Sequence, residues 1–239
     1  MRIGIIAALP GELKPLVKSW KRVKTSTARA KKWALRRGDD EWVAVCAGMG
    51  AEAVRRAFAE AERNGPLEMV LSVGWAGALL DEVSVGIAEV PTVVIDAQTG
   101  EQFGLTQDKR KWRLVTTPQV ADAKEKLRLA ATYPGAVLVD MEAATVARMA
   151  AMRDIPLLCI KGVSDAVSTA LPDLNPFIDQ TGHLKMLPFL VSVIFRPQSW
   201  PALIHLGRNS SRSALAMRDL ILEFMEEKNV EKLIRTGSV

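Results

Sequence analysis

The chain has 239 residues, of which 49% are hydrophobic and 25% charged, a balance that allows a large core and excludes a disordered polyelectrolyte. No apolar run reaches the roughly 18 residues a membrane-crossing helix needs. The net charge of +5 gathers in residues 18–37, and with no nucleic-acid motif beside it, it reads as a charged hairpin edge, so no nucleic-acid partner is expected.

Residues 2–8 are almost wholly apolar and read as a central strand rather than a targeting signal, because a proper basic region and a small-residue cleavage site are missing. Pro10-Gly11-Glu12 breaks that strand, and a short helix to about Trp20 follows. Residues 33–37 and 41–47 flank Gly38-Asp39-Asp40 as a hairpin. A strand-to-helix turn at Gly48-Met49-Gly50 then precedes a helix with Val54, Phe58 and Ala61 on one face, ended by Asn64-Gly65-Pro66. Strands are predicted at 68–74, closing in Gly74-Trp75-Ala76-Gly77, and at 86–96. A helix at 121–132 leads to a strand at 136–140, a helix at 142–153 and a strand at 157–163. An irregular stretch follows at 165–183, then the apolar run Leu184 to Phe195, then a helix that Ser211 caps, carrying Ala214, Met217, Ile221 and Phe224. The alternation of strands and helices predicts an α/β fold with a mostly parallel sheet, made mixed by the hairpin. Cys46 and Cys159 sit inside strand-like runs, as buried thiols in a reducing cytoplasm do. The histidines, His183 and His205, make no metal-ligand cluster, so no metal is expected.

Acids mark three strand ends: Glu12 after the first, Asp140 and Glu142 after 136–140, and Asp165 after 157–163. In open α/β sheets that edge is where ligands bind. Each acid alone also suits a helix cap or first turn. Two such carboxylates could hold a sugar and protonate a leaving group. The glycine turns at 48–50 and 74–77 suit either an anion at backbone amides or tight packing.

As an ordered set these segments resemble the nucleoside phosphorylase and nucleosidase superfamily. The opening Met1 to Ala8 with Glu12, the two glycine turns, Val139-Asp140-Met141-Glu142-Ala143 and Val163-Ser164-Asp165 look like those of methylthioadenosine/S-adenosylhomocysteine nucleosidases. Leu171-Pro172-Asp173-Leu174, Gly182, the apolar run, Arg196-Pro197-Gln198 and Pro201-Ala202-Leu203 resemble the hopanoid-associated phosphorylase branch, which removes adenine from a nucleoside bearing a large apolar polycycle at its 5′ carbon.

The resemblance implies a single domain over 1–239, a three-layer α/β/α fold with a C-terminal helical extension from about 184, and cleavage of the N-glycosidic bond of an adenine-type nucleoside. It implies Asp165 as general acid toward purine N7, its pKa raised by burial, with Ser164 orienting it. Glu142 would accept hydrogen bonds from the ribose hydroxyls, Met141 would pack under the sugar, and Glu12 would position water. Asp140, Gly74, Trp75, Ala76 and Val120 would complete the substrate-binding set. No cofactor is implied, with phosphate as a conceivable co-substrate. Family habit implies a homodimer in the cytoplasm. A phosphorylase of bacterial type carries Arg and Ser where this chain has Ser72 and Trp75, which weakens a phosphate site and leaves Ser72 and Lys161 as the candidates for one. Trp75 reads either as core or as a wall against the 5′ group. Leu184 to Phe195 could line a pocket, pack as core or subunit interface, or touch a membrane surface weakly beside Arg196, Arg208 and Arg212. A non-catalytic nucleoside- or lipid-binding protein is the alternative of another class.

Overall fold

A computed structural model describes residues 1–105, 112–169, 175–179, 182 and 200–226. Strand β1 (Arg2–Ala7) is buried along its whole length, as its apolar run requires. Helix α1 (Pro10–Leu13) stops after one turn, and a separate 3-10 turn at Val17–Ser19 takes the place of the rest of the predicted helix. Strands β2 (Lys21–Val23), β3 (Lys31–Arg37) and β4 (Asp40–Cys46) pair antiparallel in sequence, so the hairpin is present and gains an outer strand. β2 exposes Lys21 and Arg22, a charged edge that disfavours pairing with another chain. Lys32, in the same basic stretch, is instead buried and donates to the Glu60 carbonyl at 2.7 Å.

Helix α2 (Gly50–Glu62) packs Val54, Phe58 and Ala61 against the sheet. Strand β5 (Met69–Ala78) is the axis of the fold. The predicted strand at 86–96 is two strands, β6 (Ala88–Glu89) and β7 (Val93–Asp96). Pro91 lies between them and lacks the N–H a ladder needs. Strands β8 (Gln102–Gly104) and β9 (Arg113–Thr116), unforeseen from sequence, pair with β7. Helix α3 (Ala123–Thr132), capped by the Asp122 side chain, leads to β10 (Ala136–Asp140), α4 (Ala143–Ala151) and β11 (Leu157–Asp165).

Helix α5 (Trp200–Glu226) begins eleven residues before the cap assigned to Ser211. Ser211 is interior to the helix, and its hydroxyl donates to the Gly207 carbonyl at 2.8 Å. The predicted apolar face is correct: Ala214, Met217, Ile221 and Phe224 are buried against β1, β4, β5 and β11. Gly162 on β11 permits the close approach, since a Cβ there would lie 2.9 Å from that of Ser213. Residues 171–174 and 183–199, including the apolar run and the basic residue beside it, lie outside the described residues.

The sheet is mixed, with helices on both sides. β4, β1, β5 and β11 run parallel, and so do β10, β9 and β7, but β10 runs antiparallel to β5. The two acid-bearing strands therefore do not share one carboxyl edge, as the sequence had suggested. β1 pairs with β5 up to Ser72, and β10 pairs with it again from Gly77. Residues 73–76 of β5 are left without a ladder partner on that side, where the ends of β1 and β10 face each other. The candidate site fills this gap.

Candidate active site

A cavity of about 220 Å³ opens at the gap, and Glu12, Glu142 and Asp165 all line it, together with Met141, Ser164, Trp75, Ala76 and Val120. Its inner wall is largely apolar, the setting in which charged groups act most strongly.

Glu12 is buried. One carboxylate oxygen accepts from the backbone N–H groups of Ala8 (2.9 Å) and Leu9 (2.7 Å), and the other from that of Trp75 (3.0 Å). The Pro10 break turns the chain so that these amides converge. Gly74 does not line the cavity; it lies behind Glu12, and a Cβ there would come within 3.0 Å of the carboxylate. Burial pushes the Glu12 carboxyl above its ordinary range, against the pull of the backbone N–H groups and Lys161.

Glu142 sits at the start of α4 but does not cap it. Its carboxylate accepts from the Gly50 N–H at 2.7 Å. The first glycine turn thus does hold an anion, and the anion is the protein's own. Burial and then the Asp140 charge push Glu142 up to about 8.

Asp140 lines the cavity with its carboxylate committed inward. It accepts from the Thr116 hydroxyl (2.7 Å), the Ala143 N–H (2.9 Å) and the Lys161 ammonium (2.8 Å). These bonds shape the start of α4 and hold Asp140 at the cavity wall. Burial alone would lower the Lys161 ammonium, but Asp140 and Glu142 outweigh it and hold it above the usual lysine range. Neither Lys161 nor Ser72 lines the cavity, so neither is placed to hold a phosphate there.

Asp165 is buried at the end of β11. The Ser164 hydroxyl donates to one of its oxygens at 2.6 Å, and the Lys126 ammonium pairs with the other. Lys126 also donates to the Ala166 carbonyl at 2.7 Å and is 1% exposed. The expected acid, isolated by burial alone, is therefore an ion pair. Gly77 makes room for it, since a Cβ there would lie 2.9 Å from Lys126 Cε and 3.0 Å from Asp165 Oδ2.

Sequence reasoning missed Lys126 because the helical pattern around it is inverted: Lys126 is buried while the adjacent Leu127 is 62% exposed. A buried lysine beside an exposed leucine was the available signal, and it needs the tertiary partner to be read. Leu206 and Ser210 of α5 also line the cavity and were not anticipated. Trp75 joins them: it is half-buried, lines the cavity and donates from Nε1 to the Ser210 carbonyl at 3.0 Å. Its ring also packs on the core beneath α5, so the core reading and a place on the cavity wall go together. The backbone of Val120 is engaged by Asn175, whose side chain accepts from its N–H at 2.9 Å.

A second, more polar cavity of about 460 Å³ shares Met49, Thr117, Gln119 and Met141 with the first and extends between α2 and α4. Among the described residues, no group of acids, cysteines and histidines could hold a metal ion. Burial pushes the Cys46 and Cys159 thiols to about 12, which leaves both as inert core groups. Among the described residues, no helix is long and apolar enough to cross a membrane.

The family profile of the phosphorylase superfamily matches residues 2–124 and 114–184. The chain belongs to the phosphorylase superfamily. Comparison by sequence with curated proteins gives no significant match. Among solved structures, the fold of this phosphorylase-superfamily chain is similar to 5′-methylthioadenosine nucleosidase from Arabidopsis thaliana (TM-score 0.72, 14% identity, 96% of this chain and 98% of that one). It is similar too to 5′-methylthioadenosine/S-adenosylhomocysteine nucleosidase from Neisseria meningitidis in complex with methylthio-immucillin-A (TM-score 0.71, 16% identity, 94% and 98%). Futalosine hydrolase of Helicobacter pylori has a similar fold (TM-score 0.68, 13% identity, 93% and 98%).

Proposed function

We propose that this chain hydrolyses the N-glycosidic bond of a purine nucleoside, of adenine type as in the methylthioadenosine nucleosidases it resembles. The observation that carries the choice of water over phosphate is the position of Glu12. The three backbone N–H groups that converge at the gap would be an anion site, and the Glu12 carboxylate already occupies all three. A phosphate arriving there would meet a negative group and lose those donors. Among the described residues lining the cavity, Lys126 is the one basic side chain, and it is paired with Asp165. A carboxylate held in this way is suited to order a water molecule and take its proton.

A shared place on the cavity wall supports the remaining roles. Glu142 accepts hydrogen bonds from the ribose hydroxyls, Met141 packs against the sugar, and Asp165 with Ser164 addresses the base near Val120. As the glycosidic bond breaks, positive charge grows on the ribosyl carbon, and the carboxylates of Glu12 and Glu142 stabilise it in a largely apolar cavity. Trp75 and Leu206 form an apolar wall on the α5 side, which suits a nucleoside whose 5′ substituent is apolar. No cofactor enters this chemistry. A homodimer is the assembly we expect.

The test is base release from methylthioadenosine, S-adenosylhomocysteine and an adenosine with a bulky apolar 5′ group, each with and without phosphate. Equal release without phosphate supports hydrolysis. Release that depends on phosphate overturns the reading of Glu12, and no release from any of them overturns the enzyme assignment.

A further inference from the structure

We infer that Lys126 is a positioning residue that stores the proton delivered to the leaving base, acting through Asp165. The inference rests on the purine nucleoside cleavage proposed above. Departure of a purine from C1′ leaves electrons on the base, and a proton at a ring nitrogen makes it a far better leaving group. Asp165 is the acid at the base end, but as an ion pair it has no proton of its own to give. Ser164 donates to one of its oxygens and Lys126 to the other. Among the described residues lining the cavity, the transferable proton nearest to Asp165 is therefore on the Lys126 ammonium.

The arrangement is built for this purpose more than for stability. A buried ion pair is desolvated on both sides, and well-packed apolar groups of the same size hold a fold as well or better. This pair is buried, lines the cavity, and is accommodated by a glycine. The Ala166 carbonyl fixes the ammonium from behind.

The step balances as follows. When substrate fills the cavity and displaces water, the charge-separated pair is disfavoured, and the proton moves from Lys126 Nζ to Asp165 Oδ2. The amine and the carboxylic acid are then both neutral. Asp165 passes the proton to purine N7 as the C1′–N9 bond breaks and its electron pair goes to the base. Water attacks C1′ and gives its proton to Glu12. After release, Glu12 returns a proton to solvent and Lys126 regains one, so the enzyme is unchanged.

The test compares two leaving groups in wild type, Lys126→Gln and Lys126→Met. Methylthioadenosine needs its base protonated. The 4-nitrophenyl riboside does not, because nitrophenolate leaves unaided; an N7-methylated nucleoside, already cationic, replaces it if it is not turned over. Glutamine keeps an N–H donor for Asp165 and Ala166 but has no transferable proton, so it separates proton supply from hydrogen bonding. Folding of each variant is followed by thermal melting, and Lys126→Met serves if Lys126→Gln does not fold. We expect kcat on methylthioadenosine to fall about 100-fold, the lower end of a positioned acid's contribution. The activated substrate should stay within about threefold of wild type, since its departure makes no use of the acid. Equal losses on both substrates, or wild-type turnover of methylthioadenosine by Lys126→Gln, would overturn the inference while leaving the cleavage reading intact. A wild-type protein that cleaves none of these substrates removes that reading, and the inference with it.

Discussion

Glu12→Gln separates the water-positioning role from the structural one. The carboxylate spreads three accepted hydrogen bonds over two oxygens: Ala8 and Leu9 share one, and Trp75 has the other. Glutamine has a single acceptor oxygen. In its better orientation that oxygen keeps the Ala8 and Leu9 amides, and its NH2 turns toward the Trp75 N–H, donor against donor. One orphaned buried donor costs about 1–3 kcal/mol. Against this, the neutral amide avoids the burial penalty that pushes the Glu12 carboxyl up. The net loss should be about 1 kcal/mol, which lowers Tm by about 2–4 °C for a chain of this size. The loss of a base that accepts the proton of water should cost about 10²- to 10⁴-fold in kcat, or about 3–5 kcal/mol of barrier. Thermal melting and adenine release on the same preparation measure the two effects. The reasoning fails if Glu12→Gln turns over like wild type. It fails equally if Tm drops by more than about 10 °C, because the residue then acts first as a structural anchor.

Asp165→Asn should abolish purine release, by about 10²- to 10⁴-fold. It also leaves the buried Lys126 without its ionised partner, so a loss of about 3–5 kcal/mol in denaturant unfolding is expected; unchanged stability would argue against the pair. Glu142 is raised from its ordinary 4.5 to about 8 in the fold, so between these values the folded state binds more protons than the unfolded state. Stability from this group is present at low pH and is lost as pH rises through about 8, and Glu142→Gln should flatten that slope in melts across pH 5–9. The kcat/KM of the wild type should rise over the same range as the ribose acceptor ionises, and a Glu142→Gln profile with the same rising limb would count against it. Trp75→Ala should raise KM for nucleosides with apolar 5′ groups about tenfold, the worth of part of a buried aromatic. The same change should leave a nucleoside with a plain 5′ hydroxyl closer to wild type; equal shifts would place the 5′ wall elsewhere.

The sequence by itself determined much of the layering. Apolar runs such as residues 3–7 and 69–71 can be satisfied only between two covered faces, and the apolar stripes of α2, α4 and α5 supply the covers. It also marked Glu12, Glu142 and Asp165, because a carboxylate that ends an apolar strand has few places to go. Local signals failed where the deciding partner is remote or the segment short. β8 has three residues and β9 four, below what periodicity can register, and Ser211 looked like a cap because a hydroxyl beside an apolar stripe has the same local chemistry inside a helix.

Tertiary structure alone decided how the acids meet. β10 runs against β5, so Glu142 and Asp165 arrive on strands of opposite direction at a gap that no single strand encodes. It decided that the anion at Gly50 is Glu142, from 92 residues away, and that the three amides at the gap belong to Glu12. It also paired Lys126 with Asp165, 39 residues apart. A buried charge needs a counter-charge or hydrogen-bond partners brought to it, and that is a property of the folded arrangement rather than of any local run of residues.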